Sequence, residues 1–99
     1  MGSCGAFQFE VLGKVQKVSF RKYTAARAQE LGLVGWVMNT AGGTVVGEAQ
    51  GPTEQLAQLR TWLQWTGSPK SKITEAKFTA ERSGLSRGDL GYTDFEIRR

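Results

Sequence analysis

The chain has no histidine, a single cysteine and only two prolines in 99 residues. The missing histidine removes the commonest general base, the phosphohistidine route and every imidazole metal ligand. With Cys4 as the sole thiol, an intrachain disulfide is excluded and the usual zinc donor sets are absent. One cysteine fits a reducing, cytoplasmic setting. Its place near the start predicts a free thiol on a flexible stretch over residues 1–6. No run approaches the ~18 apolar residues that a membrane helix needs, so no membrane partner is expected. The start is too short and too uncharged for a secretory signal. Lipidation at Gly2 is disfavoured, because Ala6 stands where Ser or Thr is wanted.

What is present is modest and basic. The formal charge is +4 and the sequence pI about 9.6, a balance that favours anionic ligands without choosing among them. The length allows one domain, 1–99, with room for one core.

Phe7, Phe9 and Val11 alternate with Gln8, Glu10 and Leu12, the period of a half-buried strand, and Gly13 marks its end. Phe20 to Leu31 reads as a helix stopped by Gly32. Val34–Asn39 and Thr44–Gln50 read as strands joined by the turn at Ala41-Gly42-Gly43. A second helix starts at Gly51-Pro52-Thr53, with Thr53 as the expected cap and Leu56, Leu59 and Leu63 as its core stripe. Gly67-Ser68-Pro69 breaks it. A fourth strand is expected over Lys72–Ala80 with Phe78 in the core. An exposed loop follows over Ser83–Gly91, then a short strand over Thr93–Arg98 with Phe95 and Ile97 on one face. The order β-α-β-β-α-β plus a closing strand predicts an α+β, ferredoxin-like sandwich, a mostly antiparallel sheet with both helices on one face.

The most informative segment is Gly13-Lys-Val-Gln-Lys-Val-Ser-Phe-Arg21. It leads from a strand into a helix and ends on an arginine. Backbone N–H groups and the helix dipole converge at such a turn, and a guanidinium fork matches two phosphate oxygens. The expected anion cradle holds Gln16, Lys17, Val18, Ser19, Phe20 and Arg21. It lacks the second Gly-Lys-Ser/Thr of a Walker loop, and Val15 stands where a tyrosine-phosphatase-like loop has its cysteine. No carboxylate lies between Lys14 and Arg27. A cradle with no nucleophile suits a mixed anhydride better than a stable ester. Holding the phosphoryl group and one water can suffice where the leaving group is a carboxylate. Asn39, at the end of the second strand, is a candidate holder of that water. From the pattern alone its plainer reading is a residue that opens a turn by bonding its own backbone.

Gly13–Thr24 resembles the first acylphosphatase signature, G-x-V-Q-G-V-x-F-R-x-x-T, and Gly32–Gly47 resembles the second, G-x-x-G-W-V-x-N-x-x-x-G-T-V-x-G. The likeness runs from about Phe7 to Arg98. It implies hydrolysis of a small acyl phosphate without metal or cofactor, with inorganic phosphate as product and inhibitor, in a cytoplasmic monomer. It also implies that Arg21 and the loop bind phosphate, that Asn39 orients the attacking water, and that Gly13 and Thr40 support them. Lys17 replaces the signature glycine. An alternative reading is therefore a phosphate-binding regulatory domain whose turnover that substitution has lowered. A nucleic-acid module on the same plan is disfavoured, because the third strand, T-V-V-G-E-A-Q, carries no stacking aromatics. Trp36 is expected to pack. Trp62 and Trp65 are expected at the core edge or on a partner surface.

Overall fold

The computed structural model describes residues 3–16 and 19–99. Five strands and two helices follow in the order β1 (Cys4–Lys14), α1 (Phe20–Glu30), β2 (Val34–Asn39), β3 (Val45–Pro52), α2 (Thr53–Thr61), β4 (Lys72–Leu85) and β5 (Phe95–Arg98). The sheet order is β4-β1-β3-β2-β5. All pairings are antiparallel except β2 with β5. This is the ferredoxin-like α+β arrangement.

Register explains the two faces. Phe9 lies opposite Gly47, Phe7 opposite Ala49 and Val11 opposite Val45. Val37 lies opposite Gly47 on the other side, and Phe95 opposite Gly35. These residues share the inner face, which buries Phe7, Phe9, Val11, Val37, Val45, Ala49 and Phe95 with Leu56, Leu59 and Leu63 of the second helical segment. Gly47 leaves room for the Phe9 ring, which any Cβ there would strike. The expected leucine stripe is thus the floor of α2. The helix continues past Thr61 as a π-helical turn over Trp62–Thr66, in which the Gly67 N–H reaches back to the Trp62 carbonyl at 2.9 Å.

Several expectations are corrected. Cys4 and Ala6 are buried inside β1, so residues 4–6 are strand, and the thiol is enclosed. Thr53 is the first helical residue, not its side-chain cap; its hydroxyl donates to the Ser3 carbonyl at 3.0 Å. β4 runs to Leu85 and takes in the start of the expected loop, because β1 extends to Cys4 and pairs it with Leu85. The chain then makes a short 3-10 turn over Arg87–Asp89, closed by a Ser86–Asp89 capping box. Phe78 is only partly buried: the Arg60 guanidinium covers it at 4.4 Å and pairs with Glu81. Trp62 packs against the Phe20 ring, centroids 5.6 Å apart, whereas Trp65 is 80% exposed.

Candidate active site

The site forms where β1 gives way to α1. Gly13 has φ +126°, and a Cβ there would strike the Lys72 carbonyl. Only glycine lets β4 close so tightly on the end of β1, at an irregularity between Leu12 and Gly13. Val15, buried in the core, pins the loop from below. Ser19 then takes the left-handed conformation, φ 58° and ψ 27°, and turns the chain into α1. No side chain among the described residues caps α1, and its first turn holds no acidic residue. The first intrahelical bond runs from the Tyr23 N–H to the Ser19 carbonyl at 3.0 Å. The N–H groups before it have no intrahelical acceptor and carry the positive end of the dipole.

Phe20 is buried against Trp62 and fixes how the helix starts. The next side chain, Arg21, faces a cleft of about 440 Å³ that it shares with Ser19, Phe20 and Asn39. Its Nη1 donates to the Arg98 carbonyl at 3.2 Å. Lys22 and Arg99 line the same cleft, and among the described residues no Asp or Glu side chain does, so the side chains here favour anions. Ile97 supplies an apolar wall. It shares the inner face with Phe95, as expected, but is 40% exposed and is not part of the core.

Asn39 follows Val37 by two residues, so its side chain points to the helix-bearing face. Its Oδ1 is buried and has no hydrogen-bond partner among the described residues. A buried carbonyl oxygen in a polar cleft calls for a water or a ligand donor.

The turn after Asn39 is locked from the loop. Gln16 Nε2 donates to the Thr40 carbonyl at 2.9 Å and the Thr44 carbonyl at 3.0 Å. Thr44 Oγ1 donates to Glu10 Oε2 at 2.8 Å. Its single proton is thereby used, so in the 2.7 Å contact between the two hydroxyls Thr40 is the donor. Thr40 Oγ1 in turn accepts the Thr44 N–H at 3.1 Å.

A sequence model of the acylphosphatase family matches residues 7–97. The chain belongs to the acylphosphatase family. It is 52% identical over 91 residues to Acylphosphatase-1 of Gallus gallus, covering 92% of this chain and 89% of that protein. It is 60% identical over 74 residues to Acylphosphatase-1 of Xenopus tropicalis, covering 75% of this chain and 76% of that protein. Among solved structures, the acylphosphatase from Bacillus subtilis superposes with a TM-score of 0.83 at 34% identity, covering 96% of this chain and 99% of that one.

In this acylphosphatase-family chain, the expected residues Ser19, Phe20, Arg21 and Asn39 meet in one cleft. The Gln16 side-chain amide is spent on the turn beyond Asn39, while the expectation for this residue concerned its backbone N–H. Lys17 and Val18 lie outside the described residues. The Glu10–Thr44 hydrogen bond that backs this turn was not anticipated. Only the register that sets Glu10 opposite Val46 and Val11 opposite Val45 brings the two residues together. Nothing in the sequence marks the Arg98 backbone carbonyl as an acceptor for Arg21.

Proposed function

We propose that the cleft hydrolyses the carboxyl–phosphate bond of small acyl phosphates by direct attack of a water on phosphorus. Arg21 and the open N–H groups at the start of α1 hold the phosphoryl oxygens, and their charge is best matched as negative charge builds up in the transition state. Asn39 Oδ1 accepts a hydrogen bond from the attacking water and aims its lone pair. A new P–O bond forms from water, the bond to the acyl oxygen breaks, and the carboxylate leaves with the electron pair. The water proton passes to a phosphoryl oxygen, so no side-chain base is required. Gly13 and Thr40 support the loop and the turn. The products are carboxylate and inorganic phosphate, and phosphate competes for the same cradle. The observation that carries this reading is the buried Asn39 Oδ1, without a partner among the described residues, on a side chain that lines the cleft of Arg21.

A cytoplasmic, monomeric form of the enzyme belongs to the same proposal. The lone, buried Cys4 supports the reducing, cytoplasmic setting.

The test is hydrolysis of benzoyl phosphate in a chelating buffer. The wild type should turn over, while Arg21→Ala and Asn39→Ala should each lose about 10²–10³ in kcat. Full activity in a folded Asn39→Ala protein would remove the water-holding role.

A further inference from the structure

The outer face of the sheet carries a cluster that the reaction does not use. Trp36, expected to pack, lies there opposite Glu48 and Glu96. Its indole N–H donates to the Tyr92 hydroxyl at 3.1 Å, and that hydroxyl donates to Glu48 Oε1 at 2.8 Å. Gln50 and Arg82 approach the other Glu48 oxygen at 3.4 and 3.9 Å. Gln50 also accepts the Gly91 N–H at 2.6 Å, which ties down the segment that carries Tyr92. The Arg98 guanidinium lies over the Trp36 ring at 4.6 Å and near the Tyr92 ring at 6.0 Å, with Glu96 3.5 Å from its Nε.

Arg98 is the last residue of β5, an edge strand of only four residues, Phe95–Arg98, paired on one side alone. A strand end so short frays unless a side chain anchors it. The anchor here is a stacked cation, which is stronger than a bare surface contact. The same residue's carbonyl accepts the Arg21 Nη1 hydrogen bond on the cleft side. Side chain and carbonyl thus join the two faces of the sheet through one residue.

We infer that Trp36 and Tyr92 act as positioning residues for the acylphosphatase site: by clamping the Arg98 side chain on the outer face they hold its carbonyl where it orients Arg21. The effect on Arg21 rests on the phosphate-binding role proposed above. It differs from simple stabilisation in one respect. Loss of the clamp weakens phosphate binding only while the Arg21 guanidinium is there to be oriented.

The experiment is a double-mutant cycle on the full chain, read as the dissociation constant of inorganic phosphate by NMR titration. The variants are Trp36→Leu, Trp36→Phe, Tyr92→Phe and Arg21→Ala, with each of the first three also made in the Arg21→Ala background. Trp36→Leu should weaken phosphate binding about three- to tenfold with Arg21 present, and by less than about twofold without it. Trp36→Phe, which keeps an aromatic face, should recover most of the affinity. Tyr92→Phe, which keeps the ring and loses the bridge to Glu48, should fall between them and serves as the probe should Trp36→Leu not fold. Equal losses with and without Arg21, or no loss in folded Trp36→Leu and Tyr92→Phe, would overturn the inference. Unchanged phosphate affinity in Arg21→Ala alone would instead overturn the binding role of Arg21.

Discussion

Gln16 and Thr40, 24 residues apart, are joined by a hydrogen bond of 2.9 Å from the Gln16 amide to the Thr40 carbonyl. The same amide reaches the Thr44 carbonyl at 3.0 Å. One side chain from the loop between β1 and α1 thereby closes the turn that begins immediately after Asn39. The two halves of the site are held to each other by the protein before any substrate arrives, which is the form of preorganisation that lowers a barrier.

Gln16→Glu should break this join more severely than Gln16→Ala. A carboxylate cannot donate to two carbonyls, and it places negative charge beside an anion site. We expect kcat/KM to fall about tenfold or more and stability to drop by ~1–3 kcal/mol as the two carbonyls lose their donor. Urea unfolding and steady-state rates on both variants check this, and equal behaviour of the two would count against it.

Gly13→Ala should destabilise the fold by more than about 2 kcal/mol, since the added methyl meets the Lys72 carbonyl and the φ of +126° disfavours a side chain. Thermal denaturation measures it. Amide shifts at Ile73, whose peptide unit holds the Lys72 carbonyl, and at Thr74 should move with it, because that carbonyl and the Thr74 N–H face the missing Cβ.

Ser19 is a serine in left-handed backbone, a conformation that costs a non-glycine residue ~1–2 kcal/mol. Ser19→Gly should therefore be at least as stable as wild type. Ser19→Val, with a β-branched side chain that tolerates the region poorly, should lose about 1–2 kcal/mol. Denaturant midpoints that rank Val above Gly would contradict the geometry.

The Asp89 carboxyl titrates below the ordinary carboxylate range. Hydrogen bonds from the Ser86 backbone N–H, first, and the Ser86 hydroxyl hold it ionised, with a smaller contribution from Arg82. Because the folded value is depressed, the capping box contributes above the unfolded pKa and is lost as pH falls through the folded one. NMR titration should show the Ser86 amide shift following Asp89 in that acid window, and Ser86→Ala should move the Asp89 midpoint up toward the ordinary value.

The site was legible in the sequence to different depths. Arg21 could be read because a strand, a turn and a helix start in one short segment fix where the guanidinium must lie. Asn39 could be placed only through the family likeness, since chain order does not say that β2 lies between β3 and β5 or that position 39 faces the helices. Alternation located Phe7, Phe9, Val11 and the leucines of α2, because burial on one face repeats along each element. It gave no sign that Trp36 faces outward, since an aromatic on either face of a strand keeps the same period. The reach of β4 to Leu85 was hidden for a similar reason. An edge strand with a polar, glycine-containing tail looks like a loop until its partner, β1, is seen to begin at Cys4. The Gln16–Thr40 join and the Arg21–Arg98 bond are backbone acceptances across the fold, and no residue type announces a carbonyl.

The most direct test of the central claim is a single hydrolysis of benzoyl phosphate in ¹⁸O-labelled water, with both products analysed by mass. Attack by an oriented water on phosphorus predicts the label in inorganic phosphate and none in benzoate. Label in the benzoate would mean attack at the acyl carbon, and a cradle built around Arg21 and Asn39 to hold phosphorus and water would then be the wrong account of this site.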